Sequence, residues 1–76
     1  MTTDQFLIHL DEILNRAEGT TKRGEALADT EGWDSLAMLG LIALADSDLD
    51  TRLTGKQLTA AKTTDDLIAM VAEKLS

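Results

Sequence analysis

The residues best placed to do chemistry are Asp34 and Ser35, which stand where a long polar segment gives way to the apolar segment 36–45. Asp is a preferred N-cap residue, so we expect a helix to begin at Ser35. Free backbone N–H groups and the positive end of the helix dipole would stabilise a phosphate attached to the serine hydroxyl there. On residue types alone, an ordinary capping aspartate followed by a surface serine is the commoner interpretation.

The composition offers few residues with which the chain itself could perform nucleophilic catalysis. His9 is the one histidine and there is no cysteine, which excludes disulfides, zinc–thiolate sites and cysteine nucleophiles. A hydrolase built from Ser35, His9 and Asp34 is disfavoured, because adjacent Asp and Ser residues do not both flank one imidazole in the usual relay. We therefore expect a protein that is not an enzyme.

A second acidic pattern, Asp46-Ser47-Asp48-Leu49-Asp50, begins like a calcium-binding loop. Such a loop needs Gly at its sixth position and Glu at its twelfth, where this chain has Thr51 and Gln57. A dedicated calcium site is therefore not expected. Carboxylates near the end of a helix are unfavourable with respect to its dipole, which leaves weak binding of divalent ions as an alternative.

The hydrophobic spacing that must position these residues is helical throughout. It predicts a first helix over residues 4–17 with Thr3 as N-cap, and a second from Ser35. A short third helix over 54–61 and a fourth capped by Thr63 follow. The polar segment 18–34 between the first two helices is a long connection, anchored by Leu27. The prediction is an all-α, small four-helix bundle with three main helices and a short third, in one domain over residues 1–76.

The second predicted helix is apolar almost all round, so one of its faces is expected to serve a partner. The inward stripe is predicted to be Met38, Leu41, Ile42, Ala45 and Leu49. The outward stripe is predicted to be Leu36, Gly40, Ala43 and Ser47. From these we select Leu36 and Ala43, with Met38 at the edge, as the partner-docking residues.

The charge restricts the kinds of partner. Fourteen acidic residues against seven basic ones give a net charge of −7, which disfavours binding to nucleic acid and to anionic membranes. The chain has no apolar run of the roughly 20 residues that a membrane span needs, and its N-terminus does not resemble a signal peptide. We expect a cytoplasmic monomer.

Gly32-Trp33-Asp34-Ser35-Leu36, in an acidic all-helical chain of this length, resembles the attachment site of the acyl carrier protein family. The order of helices, the Leu53-Thr54-Gly55 segment and Lys62-Thr63 before the last helix also match that family. The resemblance implies a 4′-phosphopantetheine arm on Ser35, with Asp34 beside it, carrying acyl or aminoacyl groups as thioesters. It also implies a phosphopantetheinyl transferase, a loading ligase and downstream acyltransferases as partners.

In one respect the chain departs from the family members of fatty-acid synthesis, which carry several carboxylates along the second helix. Here no acidic residue follows Asp34 until Asp46. The departure favours a carrier for a specialised biosynthetic pathway, and the interior near Leu41, Ile42 and Leu58 is the expected shelter for an apolar cargo. The alternative from another class is a non-catalytic helical interaction module, or a weak divalent-ion binder, without the arm.

Overall fold

Four α-helices form the framework of the chain. A computed structural model describes residues 1–76, and its helices are α1 (Thr3–Ile13), α2 (Ser35–Asp48), α3 (Gly55–Ala60) and α4 (Thr64–Met70). Two 3₁₀ turns, Leu27–Asp29 and Ala72–Lys74, complete the regular structure. The predicted all-α bundle of four helices is confirmed. Only α1 and α2 are long, however, because α4 has seven residues, one more than the short helix α3. None of its helices combines the length and apolar character that crossing a bilayer requires.

The helix starts follow directly from local capping residues. Asp34, Thr54 and Thr63 cap α2, α3 and α4 as the sequence predicts, each accepting a hydrogen bond from a backbone N–H in the first turn. The first helix begins one residue earlier than expected. Thr2 is its N-cap, and the Gln5 side chain bonds back to the N–H of Thr2 to complete a capping box.

The end of α1 differs from the prediction. The helix stops at Ile13, and Asn15 adopts a left-handed φ of 59°. The N–H of Arg16 bonds to the carbonyl of Asp11, and the N–H of Asn15 to that of Glu12, which together form a Schellman motif. Asparagine tolerates the left-handed region better than most residues, so it ends the helix four residues before Gly19.

One hydrophobic core joins all four helices. It consists of ten buried residues: Phe6, Leu10, Leu27, Leu41, Ala45, Leu49, Leu53, Leu58, Leu67 and Val71. On α2 the buried residues are Ala37, Leu41 and Ala45, followed by Leu49 at its C-cap. Met38 and Ile42, expected on the inward stripe, are half-buried and pack against the edge of this core.

Gly40 lies where α2 meets α1 and so does not belong to an outward stripe. A β-carbon at Gly40 would lie 3.4 Å from Cγ2 of Ile13. The prediction that Gly40 faces outward is therefore wrong. The Ile13 side chain lies beside Gly40 at a distance that leaves room for one methyl group.

We predict opposite effects on stability for two Gly→Ala substitutions. Gly40→Ala should raise the free energy of unfolding by about 0.5–1 kcal/mol, because alanine favours the helix and 3.4 Å is an ordinary packing distance. Gly32→Ala should lower it by about 1–2 kcal/mol, because Gly32 has a φ of 90°. Its β-carbon would also lie 3.1 Å from the carbonyl oxygen of Leu14.

Urea unfolding of both variants beside the wild type measures these differences. Because the two substitutions add the same methyl group, a shared direction of change would contradict this account of the glycines.

Candidate functional site

Ser35 stands exposed at the first position of a 14-residue helix. Oδ1 of Asp34 accepts a 2.9 Å hydrogen bond from the N–H of Ala37, and the Asp34 carbonyl accepts one from the N–H of Met38. The Asp34 carboxylate therefore acts as the helix cap. The N–H groups of Ser35 and Leu36 lie at the open end of the helix, where they have no carbonyl partner in the preceding turn. This end is suited to stabilise an anion carried on the Ser35 hydroxyl.

An apolar surface begins immediately after Ser35. Leu36 is 76% exposed and Leu39 is 62% exposed, and no other large hydrophobic residue is exposed to this degree. With the exposed Ala43 they follow the spacing i, i+3, i+7, which places them on one side of α2. We call these three residues the leucine face. Sequence analysis identified Leu36 and Ala43 but missed Leu39.

A shallow groove of about 260 Å³ continues from the leucine face. Its lining residues are Leu39, Ile42, Ala43, Asp46, Arg52 and Leu53. Ile42, expected to shelter cargo, lies in this groove. Leu41 and Leu58 are fully buried, and neither lines any of the three clefts in the structure. The only apolar recess near α2 is therefore at the surface.

Other predicted site residues lie apart from this surface. Met38 is half-buried, with its Sδ 4.0 Å from the Thr59 hydroxyl on α3, so it does not contribute to the leucine face. The acidic residues of segment 46–50 do not converge: no group of three or more His, Cys, Asp or Glu side chains is arranged to hold a metal ion. The divalent-ion alternative therefore has no cluster of ligands to support it.

The loop that leads to Ser35 is fixed to α1 by a buried carboxylate. Asp11 is only 1% exposed, and its two oxygens accept hydrogen bonds from the N–H groups of Gly19, at 2.8 Å, and Thr21, at 2.7 Å. Burial by itself would raise the pKa of Asp11. Hydrogen bonds from the Thr21 side chain and from these backbone groups outweigh burial and hold the pKa below its ordinary 3.8.

A second polar cluster lies farther along the same loop. Arg16 and Glu25 form an ion pair with Nη1 and Oε2 2.9 Å apart, and both side chains are largely shielded from solvent. The Thr30 hydroxyl lies 2.6 Å from Oε2 of Glu25. Desolvation alone would raise the pKa of Glu25, but hydrogen bonds from Thr30 and Arg16, together with the Arg16 charge, lower it from its ordinary 4.5.

The start of α4 holds the loop from its other side. Thr64 is buried, and its hydroxyl donates to the carbonyl of Lys22 at 2.6 Å and accepts from the N–H of Glu25 at 3.1 Å. Leu27 enters the core as predicted, and Trp33 is half-buried against it. The loop is therefore an ordered part of the fold.

The polar residues that organise this loop are not apparent from the sequence. Asp11, Glu25 and Thr30 are ordinary surface residue types in a helix and a polar loop, and periodicity does not distinguish them. One feature of the sequence could have indicated the role of Asp11: it directly follows Leu10, on the core side of the first helix. A carboxylate beside a buried position indicates either a boundary residue or a buried hydrogen-bond acceptor.

We predict that Asp11→Ala lowers the free energy of unfolding at pH 7 by about 2–3 kcal/mol. It leaves the buried N–H of Thr21 and the partly buried N–H of Gly19 without their acceptor. Urea unfolding measures this loss. Asp48→Asn, which changes an exposed acid, should remain within about 0.5 kcal/mol of the wild type.

The same carboxylates predict a loss of stability in acid. In the folded protein the pKa values of Asp11 and Glu25 are lowered. Their contributions to the free energy of unfolding are therefore complete above the ordinary pKa values of 3.8 and 4.5. They are lost as the pH falls through the lower, folded values. Relief of surface repulsion opposes this trend, but at about 0.15 M salt exposed charges are screened beyond roughly 8 Å. Unfolding measured from pH 6 to pH 2.5 should show a shallower decline for Asp11→Asn; equal slopes would refute the assignment.

Comparison with known proteins finds no matching family model, no matching curated protein and no matching solved structure.

Proposed function

We propose that this chain is a carrier protein, on which acyl or aminoacyl groups travel as thioesters of a 4′-phosphopantetheine arm attached to Ser35. The observation that carries the proposal is the exposed Ser35 hydroxyl at the capped start of α2, directly followed by the leucine face. The Asp34-Ser35-Leu36 sequence, which resembles the attachment motif of acyl carrier proteins, supports the same interpretation.

The residues present fit a phosphodiester on Ser35. The hydroxyl is accessible to a second protein, and the first N–H groups of α2 favour a nearby negative charge. The Asp34 carboxylate is engaged with the Ala37 N–H, which moderates its repulsion of an added anion. These features concern attachment and are independent of the identity of the cargo.

Attachment requires a separate transferase, because this chain offers no base at Ser35. In the transferase site, Ser35 Oγ would attack the β-phosphorus of coenzyme A while Mg²⁺ stabilises the charge on the phosphates. The new bond joins Oγ to phosphorus, and the bond that breaks releases 3′,5′-ADP. The serine proton passes to a base of the transferase. The carrier contributes an exposed nucleophile and a docking surface.

The leucine face is suited to dock the transferase and the loading enzymes. Its residues are apolar and exposed, and α2 carries no acid between Asp34 and Asp46. Contacts with an acyl- or aminoacyl-loading ligase and with downstream acyltransferases would then depend on apolar burial more than on charge. This character favours a specialised biosynthetic pathway over general fatty-acid synthesis.

The same exposed leucines support the second candidate, a helical interaction module in which Ser35 remains unmodified. An apolar patch by itself indicates a partner and does not identify it. The two candidates differ in one chemical fact, the covalent arm on Ser35.

We predict one arm per chain, at Ser35. Intact-mass measurement after incubation with coenzyme A, Mg²⁺ and a broad-specificity phosphopantetheinyl transferase should show complete addition of one phosphopantetheine. Ser35→Ala should gain none, whereas Ser47→Ala, which removes the other exposed serine of α2, should behave as the wild type. A wild-type chain that stays unmodified would favour the interaction module.

We further predict that loading depends on the leucine face more than on ionic strength. Leu36→Ala and Leu39→Ala should each raise KM for transfer of the arm about fivefold to tenfold, because each removes an exposed apolar contact. Raising salt from 0.05 to 0.5 M should change KM less than this. Leu75→Ala, a half-buried leucine near the C-terminus, serves as the matched control. If KM rose steeply with salt and did not change in the two leucine variants, apolar docking would be refuted.

A further inference from the structure

The polar cluster in the loop is connected to the segment that enters α2. Nη1 of Arg16 donates to the Thr21 hydroxyl at 3.3 Å and pairs with the Glu25 carboxylate, which in turn is bonded to the Thr30 hydroxyl. Asp11 fixes the first part of this chain of contacts by accepting the N–H of Thr21. A continuous set of hydrogen bonds therefore runs from α1 to Thr30.

Thr30 begins the turn that delivers the chain to Ser35. Its carbonyl accepts a 3.2 Å hydrogen bond from the N–H of Trp33, and Gly32 between them has a φ of 90°. Glycine with positive φ at the third position is the signature of a type II turn. The turn ends at Trp33, and the next residue is the cap, Asp34. The Thr30 hydroxyl lies 2.6 Å from Oε2 of Glu25 and 2.8 Å from the carbonyl oxygen of Ala26, and it thus fixes one end of the turn. The cap of α2 follows the other end.

The first turn of α2 has no side chain of its own in the core. Asp34, Ser35 and Leu36 are exposed, and the first buried residue of the helix is Ala37. The helix axis is fixed from Ala37 onward by the core. The path by which the chain approaches Ser35 is fixed by the packing of Trp33 against the core and by the turn 30–33, whose first residue, Thr30, is bonded to the cluster around Glu25.

We propose that Glu25 and Thr30 are positioning residues for Ser35: the Arg16–Glu25–Thr30 contacts hold the turn 30–33 so that the Ser35 hydroxyl is presented in one orientation to the enzyme that modifies it. The proposal rests on the carrier function proposed above. Neither residue touches the reacting groups, and neither belongs to the leucine face. Their loss should therefore reduce turnover and leave docking unchanged.

Thr30→Val tests this role because it removes the hydroxyl while keeping the side-chain volume, and Glu25→Gln removes the charge while keeping the shape. Thr30→Ser restores the hydroxyl and should rescue the Thr30 variant. Thr51→Val is the matched control, since the Thr51 hydroxyl also bonds in a half-buried loop, to the Leu49 carbonyl at 2.9 Å, but beyond the opposite end of α2.

Two readouts are measured at a temperature where circular dichroism shows every variant to be folded. The first is the kinetics of arm transfer from coenzyme A, and the second is amide hydrogen exchange at Trp33 and Ala37, whose N–H groups report the turn and the cap. For Thr30→Val and Glu25→Gln, kcat should fall about tenfold with KM within twofold of the wild type. Exchange at Trp33 should accelerate by a similar factor. Thr51→Val and Thr30→Ser should stay within twofold of the wild type in both.

An unchanged kcat in both Thr30→Val and Glu25→Gln would overturn the proposal, as would an equal loss in Thr51→Val at equal stability. Wild-type protein that accepts no arm would instead refute the carrier function. In that case, unchanged exchange at Trp33 in Thr30→Val would show that the cluster does not hold the turn 30–33 either. Accelerated exchange would show that the cluster holds this turn even though Ser35 carries no arm.

Discussion

The buried carboxylate of Asp11 is the constraint on which the arrangement of this small protein depends. It is the one ionisable residue among the buried side chains, and it occupies that place because the backbone N–H groups of Gly19 and Thr21 satisfy both of its oxygens. A buried carboxylate without such partners would be strongly destabilising. The chain between α1 and α2 must therefore return to α1 at this point, which converts a long polar connection into a fixed structure.

Everything that follows in the loop builds on that first attachment. The Schellman end of α1 turns the chain toward the second cluster, where Glu25 meets Arg16 and Thr30. Thr64, at the start of α4, closes the loop from the other side through its contacts with Lys22 and Glu25. Polar contacts hold the two sides together where a chain of this size lacks the apolar surface to do so. The approach to α2 is therefore connected to both α1 and α4 by hydrogen bonds.

The chain before Ser35 is held by hydrogen bonds, whereas the residues after it are exposed. The first turn of α2 carries no core residue before Ala37, and Leu36 and Leu39 remain in solvent. Exposed leucines contribute nothing to the core, and their presence beside an accessible hydroxyl is understandable if a second protein covers them during modification or loading. The proposed carrier function gives one explanation for both features.

The sequence alone determined where α2, α3 and α4 begin and that the fold is all-helical, because capping is a local interaction between a side chain and an N–H two or three residues away. Asp34, Thr54 and Thr63 cap their helices, as predicted from the residues that follow them in the sequence. On α2 the sequence predicted that Leu41, Ala45 and Leu49 face inward and that Leu36 and Ala43 face outward, and the structure agrees. Only the tertiary structure decided the positions between these two stripes, because the helix is apolar almost all round: Gly40 lies against α1 and Leu39 is exposed. The partners of Asp11 and Glu25 were likewise decided by chain segments that meet only in the folded molecule.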